Sequence, residues 1–194
     1  MPPMPEKPAN SLLRTLAAQH QVTDDQDPTL TAVKAHLQLR FGDALDAIIL
    51  YGSYLRGERD TLLDLYVLVD PDRARVESTA ETLGRRALPP NVYYLAANSI
   101  AQLGHAKYAV IGTRQLQQRI SDDFHSYFWS RLAQPCAVLY ARDSKLADRV
   151  LEIRTSAVAR CLQEAARLTT ATMDAAAHDP LQALWQPLFE HTYA

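Results

Sequence analysis

The chain has 194 residues, 47% hydrophobic and 22% charged, which suits one ordinary domain with a helical annex and excludes a wholly disordered or fibrous protein. Its 20 basic and 22 acidic residues leave a net charge of −2, which counts against a general nucleic-acid binder, because phosphate-backbone contacts require a basic excess. The two cysteines, Cys136 and Cys161, make neither a disulfide framework nor a metal cluster and point to a reducing compartment. No run approaches the roughly 20 apolar residues that span a bilayer, and no apolar signal core opens the chain, so any membrane role is expected to be peripheral.

Pro2, Pro3, Pro5 and Pro8, with the acidic patch Asp24, Asp25 and Asp27, predict a flexible segment over residues 1–28, relieved at most by a short helix at Leu12, Leu13 and Leu16. Leu30, Val33 and Leu37 have helical spacing, with Thr29 as the expected cap after Pro28. Ala47 to Tyr51 is a continuous apolar run that stops at Gly52-Ser53, and Leu62 to Val69 is a second run stopped by Pro71; both read as buried strands. A charged helix is predicted over 72–87, closed by Pro89-Pro90, followed by strands over Asn91 to Ala96 and Tyr108 to Ile111. Gln115 to Ala133 reads as helix with a break near Ser121, and Ala137 to Tyr140 as a last strand. From Ser144, the positions Leu146, Val150, Ile153, Ala157, Cys161, Ala165 and Leu168 keep helical spacing until Thr169-Thr170-Ala171-Thr172, where fraying is expected. A final helix carries Leu181, Leu184, Trp185, Leu188 and Phe189. The order is mixed α/β followed by α.

Chemistry concentrates between Gly52 and Tyr66. A strand enters the turn Gly52-Ser53, a second glycine follows at Gly57, and a second strand brings in Asp64. Glycine lets a backbone approach a triphosphate, a serine hydroxyl and free N–H groups bind phosphate oxygens, and a carboxylate holds Mg²⁺ against them. A Gly-Ser turn between strands is common by itself; the spacing through Gly57 to Asp64 is what favours function. This stretch resembles the signature of the nucleotidyltransferase-fold superfamily, in which Gly-Ser precedes a strand bearing two aspartates two residues apart. Here the second position is Tyr66, which shares a strand face with Asp64 and supplies no charge. Asp70 shares that face too, but roughly 20 Å further along at about 3.3 Å per residue.

A narrower resemblance accommodates the single aspartate. Leu63-Asp64-Leu65-Tyr66 running to Asp70-Pro71, then Val92-Tyr93-Tyr94, Lys107-Tyr108-Ala109-Val110-Ile111 and Tyr127 to Pro135 occur in the order of blocks found in the mitochondrial-type phosphatidate cytidylyltransferases, and the chain is similar to them from about residue 47 to about residue 168. It departs from their pattern at Ala109, Ser130 and Gln134, and the Trp-His and His-Tyr-Ser residues of mitochondrial members are not visible before Pro90. The resemblance implies an α/β (α+β) fold with a nucleotidyltransferase-like mixed sheet over 29–141 and a C-terminal helical segment over 142–194, incomplete relative to the family. It also implies a Mg²⁺-dependent reaction of CTP with phosphatidate, giving CDP-diacylglycerol and pyrophosphate at the inner, cytoplasmic face of an anionic membrane.

By the same resemblance Gly52 and Ser53 bind triphosphate, Asp64 holds the metal, and Lys107 and Arg131 meet phosphate charge. Tyr127 joins the substrate-binding set. On their own terms, Lys107 is a solvated strand-end lysine and Arg131 complements a helix end, although its fixed fork suits a bidentate phosphate contact. Arg56 and Arg59 flank the turn and either reach the triphosphate or stay on the surface, as loop arginines often do. Tyr66, Tyr93 and Tyr94 either stack a base or pack in strands, and His105 and His125 have no partners at metal-ligand spacing. Lys145, Arg149, Arg154, Arg160 and Arg167 are placed on the surface of the long helix, which either packs on the core or lies on anionic lipid. Trp185, Leu188 and Phe189 are the better candidates for interfacial contact. Two other functions compete: a small nucleotidyltransferase with a soluble acceptor, and a non-catalytic nucleotide- or lipid-binding module.

Overall fold

The computed structural model describes Ser11, Arg14, Thr15 and residues 27–58, 61–73, 91–95, 105–122 and 127–172. Strand β1 (Leu45–Tyr51) is buried at all seven positions, and β2 (Leu63–Val69) at six of seven. Strands this uniformly apolar belong inside a sheet covered on both faces. Strands β3 (Asn91–Leu95), β4 (Ala106–Gly112) and β5 (Cys136–Ala141) complete a five-stranded sheet of order β3-β4-β2-β1-β5. β2 and β4 run parallel; the other neighbours are antiparallel, so the sheet is mixed.

Side-chain alternation divides the core into two layers. On one face Ile48, Leu50, Leu65, Val67 and Val110 meet Leu30, Val33 and Leu37 of helix α1 (Pro28–Phe41). On the other, Ile49, Tyr66, Leu68 and Ile111 meet α2 (Thr113–Asp122), α3 (Trp129–Leu132) and α4 (Ser144–Thr172). The α/β class with a C-terminal helix is therefore the observed one. Val150, Ile153, Ala157 and Ala165 of α4 share this second core with the strands, so its apolar stripe is covered by protein. Among the described residues no helix is long and apolar enough to cross a membrane.

Three local expectations are corrected. The cap of α1 is Asp27, not Thr29: its Oδ1 accepts from the backbone N–H of Thr29 at 2.9 Å and of Leu30 at 3.3 Å, with Pro28 in the first turn. Asp27 thus belongs to the folded unit rather than to a flexible segment, and its Oδ2 accepts from the Tyr54 hydroxyl, tying α1 to the turn after β1. Arg154 is fully buried, because it lies four residues after Val150 and three before Ala157 and so falls within the apolar stripe. α4 stays helical through Thr172; a threonine weakens a helix by less than about 1 kcal/mol, too little to stop one already propagating. The helix expected over 72–87, apart from the turn at 71–73, lies outside the described residues. So do Leu12, Leu13, Leu16 and the final helix with Trp185, Leu188 and Phe189.

Replacing Asp27 by Ala removes the cap and the Tyr54 bond together. It is expected to lower the free energy of unfolding by about 1–2 kcal/mol in urea titrations, the range measured for lost N-caps.

Candidate functional site

One row of residues crosses the sheet near the start of β2. Tyr94 of β3 is the register partner of Lys107 of β4, Lys107 of Asp64 in β2, Asp64 of Tyr51 in β1, and Tyr51 of Cys136 in β5. Register partners project to one face, here the face covered by α2, α3 and α4. A carboxylate and an ammonium therefore stand side by side on adjacent strands, with a phenol beyond each.

The turn after β1 is built around this carboxylate. Gly52 has φ 92° and ψ −157°, a conformation essentially restricted to glycine. A Cβ there would lie 3.3 Å from Asp64 Oδ2 and 3.7 Å from Asp64 Cβ. Glycine thus permits both the turn and the close approach of Asp64 to its backbone. Ser53 opens a single 3₁₀ turn, Ser53–Arg56. Its hydroxyl donates to Thr61 Oγ1 at 2.9 Å, and the Thr61 hydroxyl donates in turn to the Glu58 carbonyl at 3.0 Å. The Ser53 proton is thereby committed to bracing the loop, so in this arrangement the hydroxyl does not donate to a phosphate oxygen as the sequence suggests.

Arg131 reaches in from α3. Its guanidinium carbon sits 4.0 Å from the centre of the Tyr127 ring and 5.8 Å from that of Tyr51, and Nη1 approaches the Tyr51 hydroxyl at 3.5 Å. Tyr66 is fully buried, stacked on Tyr51 at 5.0 Å between ring centres and 6.3 Å from Phe128. Burial raises the Asp64 carboxyl above its ordinary 3.8, while Lys107 and Arg131 pull it back. Burial likewise pushes the Tyr51 phenol up to about 12, against the opposing pull of Arg131. Tyr66 is raised well above the usual phenol range by the same desolvation.

The structure therefore brings together Gly52, Ser53, Asp64, Lys107, Arg131 and Tyr127, six residues on two strands, the turn after β1, the turn before α3 and α3 itself. Tyr51 joins them without having been singled out from the sequence; its signal was its place immediately before Gly52, which the hairpin pairs with Asp64. Tyr93 stacks on Tyr108 at 5.4 Å on the opposite face, away from the site. Tyr94, at the end of the row, is 70% exposed. Arg56 faces Glu58 at 3.9 Å, and His105 contributes its carbonyl to the Leu63 N–H, holding the start of β2. Arg59 and His125 lie outside the described residues.

A cavity of about 560 Å³ lies at the other end of the sheet, bordered by Asp46, Asp70, Thr113, Arg114, Arg142 and Arg149. Its deeper charges are matched to one another: Arg142 Nη1 is 3.0 Å from Asp46 Oδ1, Thr113 donates to Asp46 Oδ2, and Arg73 is 3.3 Å from Asp70. The row at Asp64 is different, with one carboxylate between two cations and a field suited to anions. Among the described residues no group of three His, Cys, Asp or Glu is assembled as a metal cage, so Asp64 is the residue here suited to a hard cation. No family model matches the chain, and no curated protein matches it.

Gly52→Ala is expected to cost about 1–3 kcal/mol of stability in chemical denaturation, from the forced backbone conformation alone. Ionised Asp64 opposes folding in the pH range above 3.8, because its carboxyl is raised in the folded chain. That cost vanishes below about pH 3.8, where both folded and unfolded chains are protonated. Asp64→Asn should therefore raise the Tm near pH 7 and leave it unchanged near pH 3.5; a lower Tm at neutral pH would show that Lys107 and Arg131 outweigh desolvation.

Proposed function

We propose that this chain is a nucleotidyltransferase that uses CTP and phosphatidate to make CDP-diacylglycerol and pyrophosphate, working as a peripheral protein on the cytoplasmic face of an anionic membrane. The observation that carries this reading is the Asp64–Lys107 pair in register beneath the Gly52-Ser53 turn, with Arg131 above it. The turn sets the Asp64 carboxylate against the Gly52 backbone, and the two cations would neutralise charge on phosphate oxygens. A Mg²⁺ ion held by Asp64 together with the triphosphate would supply further neutralisation of the α-phosphate and the leaving group. The phosphatidate oxygen attacks the α-phosphorus of CTP, a new P–O bond forms, and the α–β bridging bond breaks with its electrons leaving on pyrophosphate.

This chemistry suits the groups present. A phosphate monoester has its second pKa at about 6 and is largely dianionic at neutral pH, so it needs no protein base. Tyr51 and Tyr66 hold their protons far above neutrality and supply none. Arg131 offers a bidentate fork to phosphate, with its plane supported by Tyr127.

The test incubates the protein with radiolabelled CTP, Mg²⁺ and vesicles with or without phosphatidate. Label should enter the organic phase only with phosphatidate. Asp64→Ala should abolish it, and Lys107→Ala should lower turnover by about 100-fold or more, as when one charge-stabilising group is removed. Turnover on a soluble acceptor alone would replace the lipid with another substrate, and CTP binding without turnover would make the chain a binding module.

A further inference from the structure

Each near neighbour of Asp64 on its face of the sheet is a phenol or a cation. Along β2 the next residue on that face is Tyr66; across the sheet the register partners are Tyr51 and Lys107; from above comes Arg131. An ammonium and a guanidinium repel a divalent ion, and a phenol oxygen is a poorer ligand for a hard cation than a carboxylate. The Tyr66 ring is fully buried and fixed between Tyr51 at 5.0 Å and Phe128 at 6.3 Å, so no other ligand shares its place.

We infer that Asp64 is the single protein ligand among the described residues of this site, that Tyr66 closes the position beside it to a second ligand, and that a divalent cation is taken up only as its complex with a nucleoside triphosphate. The inference rests on the reading of the site as a nucleotide site. One carboxylate flanked by two cations holds Mg²⁺ or Mn²⁺ poorly, since such ions part reluctantly with water and are usually bound by one or two carboxylates together with substrate phosphates. A triphosphate changes the balance. It brings several oxygen ligands, and its negative charge is attracted by Lys107 and Arg131, the groups that repel the bare ion. The charge arrangement that excludes the free metal thus favours the metal–nucleotide complex.

The probe is Mn²⁺, followed by electron paramagnetic resonance of the free ion, with the full chain and α,β-methylene-CTP, which cannot be hydrolysed at the reacting bond. The protein alone is expected to leave the Mn²⁺ signal as in buffer. With the analogue, Mn²⁺ should bind with a saturable stoichiometry, and Asp64→Ala should weaken that binding by about tenfold or more. Tyr66→Phe should change neither result. Tyr66→Asp, or Tyr66→Asn where a buried carboxylate prevents folding, should gain nucleotide-independent Mn²⁺ binding. Tight Mn²⁺ binding by the wild-type chain without analogue would overturn the inference, as would Mn²⁺–analogue binding indifferent to Asp64→Ala. So would a folded Tyr66 variant with no gain. Failure of the analogue to bind with or without Mn²⁺ would instead overturn the nucleotide reading on which it rests.

Discussion

A carboxylate drawn partly out of water is costly unless positive charge stands beside it, and the architecture around Asp64 is organised by that cost. Lys107 stands next to it because β4 runs parallel to β2 in one fixed register. A slip of one residue would turn Lys107 to the opposite face and leave an apolar side chain in its place. Arg131 is held above it because Trp129 and Leu132 anchor α3 in the core, and its guanidinium lies over the Tyr127 ring. Gly52 suits this place because its φ of 92° disfavours any side chain and a Cβ would press on the Asp64 carboxylate at 3.3 Å. The bond from Tyr54 to Asp27 fastens this turn to α1 on the other side of the sheet, so both layers contribute to where the carboxylate sits.

Much of this was legible in the sequence, and the limit falls where local signals end. β1 and β2 were visible because interior strands covered on both faces leave continuous apolar runs, and Gly52, Ser53 and Asp64 followed from their place between them. The adjacency of Asp64 and Lys107 was not derivable from either residue, since parallel pairing of β2 and β4 is decided by a long crossover and not by a turn. The resemblance named Lys107; only the register explains why it belongs there. The charge of Arg154 points to the surface, whereas its spacing from Val150 and Ala157 sets it in the buried stripe. Asp27 sits in an acidic stretch with no local sign of burial, because its role depends on Tyr54, distant in sequence. The committed proton of Ser53 had no sequence signal at all, being a matter of where Thr61 folds back.

The two ends of the sheet show why a recess alone does not mark a site. At one end, Asp46 with Arg142 and Asp70 with Arg73 largely cancel, and the cavity there has no dominant sign of charge. At the other, among the described residues, Asp64 is outnumbered by Lys107 and Arg131, and the surplus positive charge sits beside a glycine turn. An anion gains from the second arrangement and little from the first, whatever the volumes.

The surplus also bears on which acceptor the site suits. A sugar or protein hydroxyl must lose a proton as it attacks, so it needs a base poised near neutrality. Among the described groups around Asp64, the Tyr51 and Tyr66 phenols are raised away from neutrality, Lys107 and Arg131 are cations, and Asp64 is the group suited to holding a metal rather than taking a proton. A phosphate monoester arrives already ionised and carries the charge that Lys107 and Arg131 attract. The replacement of a second carboxylate by Tyr66 acts in the same direction. It leaves out negative charge that would repel an anionic nucleophile, and on the proposed reading a nucleotide's own phosphates would supply the oxygens a metal requires. A site with one carboxylate, two cations and a wall of un-ionised phenols is therefore biased toward an acceptor that is itself a phosphate.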